Sequence, residues 1–145
     1  LTRQALTAVV PLAESRGTTL QLQADTPLSV PGDAAALSAL VRNLADNAVR
    51  YSPRCAQVEV QAALIDGAPQ ITVDDSGPGI PADERERVFD RFYRRSQTEA
   101  PGSGLGLAIV RSVARQHGAT LRLSDSPLGG LRVSLRFDQA RAVTA

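Results

Sequence analysis

Two stretches of apolar alternation, each folded back at a short polar turn, constrain most strongly what this chain can fold into. In the first, Val58, Val60, Ala62 and Leu64 share one side, Asp66 and Gly67 supply turn chemistry, and Ile71 and Val73 resume the pattern. In the second, Leu121 and Leu123 lead across Pro127, Gly129 and Gly130 to Leu131, Val133, Leu135 and Phe137, with Arg122, Arg132, Ser134 and Arg136 in the alternate positions. A period of two around such a turn predicts an antiparallel hairpin buried on one face. Elsewhere the period is helical. Leu6, Val9, Val10 and Ala13 recur up to Gly17, and Leu37, Leu40, Val41, Leu44 and Ala48 follow a candidate N-cap at Asp33. Leu107, Ile109, Val110, Val113 and Ala114 lie between Gly106 and His117, with Gly118 at the C′ position. Leu20 and Leu22 alternate with Gln21 and Gln23 as an edge strand would, and Pro81, Asp83 and Glu84 suit a helix start. A sheet with one apolar face must be covered, and the striped helices can cover it. The expected fold is an α+β two-layer sandwich: a mixed, mainly antiparallel sheet with helices on one face.

No repeat or linker divides the 145 residues, so residues 1–145 are expected to form a single domain. The net charge of +1 gives no reason to expect nucleic acid or a membrane surface as partner. Every basic residue apart from the lone histidine is Arg. Without Lys, neither a Walker A loop nor the strand Lys of a eukaryotic-type protein kinase can be built. The one cysteine, Cys55, cannot form an internal disulfide, and no apolar run is long enough to span a bilayer. The segment reads as cytoplasmic. Its helix-like first residues suggest a fragment of a longer protein, with any membrane segments upstream.

Three short segments carry polar chemistry. Asn43, Asn47, Arg50 and Tyr51 fall at i, i+4, i+7 and i+8, on one side of the second helical stripe. Such a side is either a solvated helix face or, with neutral amide oxygens, a place for a hard cation such as Mg²⁺. Asp75 ends an apolar strand and enters Ser76-Gly77-Pro78-Gly79, where glycine lets the backbone approach a ligand closely. An ionised carboxylate only accepts hydrogen bonds, so it complements the exocyclic amine of adenine and not the carbonyl of guanine. The alternative is a Pro-Gly turn beside a solvated Asp. Gly102-Ser103-Gly104-Leu105-Gly106 opens a helix whose free N–H groups could hold phosphate oxygens. A Rossmann reading fails, because the glycines run G-x-G-x-G and follow a polar segment instead of a strand.

In this order, Asn43 to Tyr51, Asp75 to Gly79 and Gly102 to Gly106 resemble the N, G1 and G2 boxes of the catalytic ATP-binding domain of bacterial sensor histidine kinases, within the GHKL ATPase superfamily. Arg87 to Arg94, with Phe89, Phe92 and Tyr93, resembles that family's F box. The resemblance runs from about Asp33 to Phe137 and implies the Bergerat fold with ATP and Mg²⁺ as ligands. It makes Asn47 the Mg²⁺ ligand, lines the same site with Asn43, turns Arg50 to the phosphates and packs Tyr51 on the base. Asp75, Gly77 and Gly79 would hold the adenine, and Gly102, Gly104, Leu105 and Gly106 the phosphates under a lid between Arg95 and Gly102. Arg94 would reach the γ-phosphate, so the catalytic set is Asn43, Asn47 and Arg94. Related hydrolases carry Glu where Asn43 stands, which favours phosphoryl transfer over hydrolysis.

The implied partners are the protein's own dimerisation domain bearing the acceptor histidine, and a downstream response regulator. The isolated domain would be a monomer from the cytoplasmic side of an inner-membrane sensor. Rival readings are another GHKL member, such as an anti-sigma serine kinase or an ATPase, or a nucleotide-binding regulatory module without transfer activity. His117 is read as structural, at a helix end that suits a partly positive ring, and Cys55 is given no role. The Gly129-Gly130-Leu131 turn departs from the family's third glycine box, which leaves its contribution open.

Overall fold

The computed structural model describes residues 2–24, 32–50, 52–79, 83 and 106–137. Two short helices, α1 (Thr2–Thr7) and α2 (Val10–Arg16), lead into strand β1 (Thr19–Gln23). The long helix α3 (Ala34–Arg50) is followed by β2 (Gln57–Ile65) and β3 (Ala68–Asp75), and then α4 (Gly106–Gln116), β4 (Ala119–Asp125) and β5 (Leu131–Phe137). The strands form one sheet in the order β1-β2-β3-β5-β4. β1 runs parallel to β2 at one edge, and the other three pairings are antiparallel. The α+β sandwich, both hairpins and the edge strand are as the alternation predicts.

The turns follow from their residues. Asp66 (φ 52°) and Gly67 (φ 80°) both take left-handed backbone, the twist that a two-residue hairpin needs. Asp33 caps α3 as expected, its Oδ1 accepting from Ala35 N–H at 2.9 Å and Ala36 N–H at 3.2 Å. One expectation fails locally. The first helical stripe is two helices, because Pro11 lies in the first turn of α2, where its missing N–H does no harm but cannot continue α1. The break leaves Val10 39% exposed while Leu6, Val9 and Ala13 stay buried.

The core is a single layer between α3, α4 and one face of the sheet. Leu40, Val41, Leu44 and Val49 of α3 meet Val110 of α4 and Val58, Val60, Val73 and Leu135 of the strands, all buried. The register aligns them, since Val73 pairs with Val60 on one side and Val133 on the other. Each such side chain stabilises the fold by roughly 1.5–3 kcal/mol. α4 is less enclosed than its stripe suggests, with Ile109 43% exposed.

Candidate nucleotide site

β3 delivers Asp75 to the end of the helix-covered face, 9% exposed. Its Oδ1 accepts from Gly77 N–H at 3.0 Å and from Leu131 N–H at 3.0 Å. Gly130 N–H donates to the Asp75 carbonyl at 3.1 Å. Among the described residues Oδ2 takes no donor, so one oxygen is fixed and the other is presented. Burial pushes the Asp75 carboxyl above its ordinary value, the Leu131 and Gly77 N–H groups pull it back, and the neighbouring Asp74 charge adds to the rise.

The fit around this carboxylate is close on two sides. A Cβ on Gly77 would lie 3.1 Å from Ser52 Oγ and 3.2 Å from Ser52 Cα, so the loop after β3 presses on the residue that follows α3. Ser52 is itself buried, its hydroxyl donating to Ala48 carbonyl at 2.6 Å. On the other side, Gly130 has no room for a Cβ, which would fall on Asp75 Oδ1. Ser52 is a contribution that motif reasoning misses, and the Gly129-Gly130-Leu131 turn, whose contribution the sequence left open, supplies the Gly130 and Leu131 N–H groups. The Gly129-Gly130 pair was the available signal, but alternation alone does not show which loop the turn meets.

α3 sets Asn43, Asn47 and Arg50 on its half-buried side, as the i, i+4, i+7 spacing requires. Arg50 Nε donates to Asp46 Oδ2 at 2.8 Å, an i,i+4 pair with both side chains about one-third exposed. Neither Asn43 nor Asn47 has a side-chain partner among the described residues, which leaves the Asn47 carbonyl oxygen available. Among the described residues no three His, Cys, Asp or Glu side chains gather to hold a metal. A neutral amide oxygen fits a cation that takes few protein ligands and the rest from phosphate and water. Tyr51, Phe89, Phe92, Tyr93, Arg94, Gly102, Gly104, Leu105 and the expected helix from Pro81 lie outside the described residues, apart from Asp83. Gly106, the last glycine of its motif, begins α4.

His117 is structural, in a different form from the one its helix-end position suggests. The ring is buried; Nδ1 lies 2.8 Å from Val113 carbonyl, and Nε2 accepts from Asp33 N–H at 3.1 Å. A carbonyl only accepts, so the proton is on Nδ1 and the ring is neutral. It fastens the end of α4 to the cap of α3. Cys55 is exposed, with left-handed backbone (φ 63°), in the turn before β2.

A two-layer sandwich with a carboxylate at the end of its central strand and an amide-bearing helix beside it has the architecture of the Bergerat fold. The chain belongs to the histidine kinase-, DNA gyrase B-, and HSP90-like ATPase family, whose profile matches residues 32–141, and within it to the catalytic ATP-binding domains of sensor histidine kinases. It is 50% identical over 107 residues to the signal transduction histidine-protein kinase/phosphatase MprB of Mycolicibacterium vanbaalenii, a match covering 72% of this chain and 22% of that protein. The chain thus spans about a fifth of the length of such curated relatives. A solved mycobacterial sensor histidine kinase MprB superposes with a TM-score of 0.81 at 36% identity, covering 94% of this chain and 90% of that one. Full-length ShkA in complex with AMPPNP gives 0.80 at 28% identity, over 94% of this chain and 28% of that one.

Proposed function

We propose that the chain is a single domain that binds Mg·ATP and donates the γ-phosphoryl group to a histidine on the dimerisation domain of its own sensor kinase. The observation that carries the reading is Asp75: a buried carboxylate with Oδ1 held by two backbone N–H groups and Oδ2 left to accept from the adenine amine. The AMPPNP held by the ShkA relative, an ATP analogue, supports the same ligand class. Gly77 and Gly79 keep the loop close enough for the base to reach the carboxylate. Asn47 would ligate Mg²⁺, which when bound would neutralise phosphate charge, and Asn43 would line the same site. Arg50 would face the phosphates, Tyr51 the base, Gly102, Gly104, Leu105 and Gly106 the triphosphate, and Arg94 the γ-phosphate.

Asn43 and Asn47 are amides and take no proton at neutral pH, so the site positions and neutralises without activating water. The acceptor and the response regulator it feeds would come from outside this chain. Its place would be the cytoplasmic side of an inner-membrane sensor. Among the described residues no helix is long and apolar enough to cross a membrane.

Calorimetry with ATP, ADP and GTP, with and without Mg²⁺, tests the binding step. ATP and ADP should bind and GTP much more weakly; comparable affinities would sink the adenine argument. Incubation with γ-labelled ATP tests transfer. The chain alone should turn ATP over very slowly, and adding a dimerisation domain should place acid-labile phosphate on that domain. Label on His117, or brisk phosphate release by the chain alone, would contradict the assignment. Tight binding with no transfer to any such domain would favour a regulatory module.

A further inference from the structure

Asp75 is the second of two consecutive acids, and the pleat of β3 sends them to opposite faces of the sheet. Asp75 shares the helix-covered face with Val73. Asp74 stands on the outer face, in register with Glu59 of β2 and Arg132 of β5. It is 5% exposed, a depth at which an unpaired carboxylate is costly. Arg132 supplies a two-pronged partner: Nε donates to Asp74 Oδ1 at 2.7 Å and Nη2 to Oδ2 at 2.9 Å. This planar fork fixes direction as well as charge. The Asp74 carboxylate in turn raises the Arg132 guanidinium above its ordinary value. The residue before Arg132 is Leu131, whose N–H holds Asp75 Oδ1, and before that is Gly130, whose N–H holds the Asp75 carbonyl. Three consecutive residues of β5 and its turn therefore grip both acids, one from each side of the sheet.

We propose that Arg132, across the sheet from the nucleotide, is a positioning residue for adenine recognition, its clamp on Asp74 fixing the strand register that aims Asp75 and offsetting the negative charge beside it. The proposal rests on the reading of Asp75 as the base acceptor. It has a mechanical part and an electrostatic part. Mechanically, the fork locks β5 to β3 one residue away from the Leu131 N–H, one of the two that orient the carboxylate. Electrostatically, accepting from the adenine amine requires an ionised Asp75, and both burial and the Asp74 charge oppose that ionisation. An unpaired Asp74 opposes it further. The charged groups on the elements around Asp75 are Asp74 on its own strand, Glu59 on β2, Arg132 and Arg136 on β5, Arg122 and Asp125 on β4, and on α3 Arg42 and the paired Asp46 and Arg50.

The test titrates ADP calorimetrically into the full chain from mildly acidic to neutral pH, comparing the parent with Arg132→Gln, Asp74→Asn and the double variant. Arg132→Gln should weaken ADP binding roughly fivefold at neutral pH, within the range of coupled neighbours, and move the acid limb of binding to higher pH. The double variant, with neither charge, should bring the limb back. Asp74→Asn alone should move it below the parent's, which keeps the test open if Arg132→Gln does not fold. NMR titration of the Asp75 carboxyl without nucleotide should show the same order. A loss that is uniform in pH and not mended by Asp74→Asn would reduce Arg132 to a strut, and unchanged affinity throughout would remove it from the site. Either result overturns the proposal. Failure of the underlying reading is separately visible, as Asp75→Asn binding ADP like the parent.

Discussion

Replacing Gly130 with alanine probes the contact on which the Asp75 geometry depends. The added Cβ would fall on Asp75 Oδ1 and lie 2.6 Å from Gly77 N and 2.7 Å from the Asp75 carbonyl oxygen. Two of these neighbours are backbone, and the third is held by two N–H groups, so the turn itself must withdraw. Moving it far enough for van der Waals contact stretches the Gly130-to-carbonyl bond of 3.1 Å and the Leu131-to-carboxylate bond of 3.0 Å beyond useful range. The first bond is worth about 0.5–1.5 kcal/mol and the second, to a charged group, about 1.5–3 kcal/mol, so the expected cost is about 2–4.5 kcal/mol. For a chain of this size that lowers Tm by roughly 5–15 °C. The assay pairs thermal unfolding with ADP calorimetry, and affinity should fall at least tenfold because the carboxylate loses its aim. Gly129→Ala is the control. Gly129 has φ +104° but nothing within 4 Å of an added Cβ, so it should lose about 1–3 kcal/mol to backbone strain and leave ADP affinity unchanged. Parent-like Tm and affinity in Gly130→Ala, or equal affinity losses in the two variants, would refute the reasoning.

Asp75→Asn should separate function from stability. A carboxyl whose folded pKa is raised gives stability that is full below the unfolded value and falls as pH rises through the folded value, so ionised Asp75 weakens the fold at neutral pH. The amide variant should therefore show a Tm at neutral pH no lower than the parent's, while ADP binding drops at least tenfold through loss of a charge-assisted hydrogen bond of about 1.5–3 kcal/mol; a lower Tm with intact binding would reverse the assignment. Asn47→Ala should leave circular dichroism unchanged and remove most of the Mg²⁺ dependence of ATP binding, and normal phosphoryl transfer by this variant would put the metal elsewhere. His117→Ala strips the partner from Asp33 N–H and should cost about 2–3 kcal/mol in urea unfolding, with a parent-like midpoint as the contrary result.

The sequence displays the fold well because one physical demand, apolar burial, writes itself into periodicity. Val58 to Val73 and Leu121 to Phe137 could alternate as they do only as hairpins with one covered face. What escaped is whatever depends on a few atoms. Pro11 cuts a stripe that hydrophobic spacing reads as continuous, and Ile109 has the apolar character of a core residue without the burial. Asp75 was legible because a carboxylate at the end of an apolar strand needs an explanation. The Gly129-Gly130-Leu131 turn could be named but not matched to Asp75, since a backbone N–H leaves no trace in residue identity. Arg132 sat in the alternation as an ordinary outward-facing residue, and nothing in that pattern distinguishes a solvated Arg from one locked to Asp74.

The bond from Asp33 N–H to His117 also has a mechanical consequence. It anchors α4 at its final turn, while the opposite end of that helix starts from the glycine motif. Eleven residues of helix make an arm of about 16 Å from that anchor, seated in the core along its length through Val110, Val113 and Ala114. A tilt of about 5° about the anchor would carry Gly106 by about 1.4 Å, and the packing of those core residues opposes it. The histidine therefore fixes the end of α4 that lies farther from Gly106.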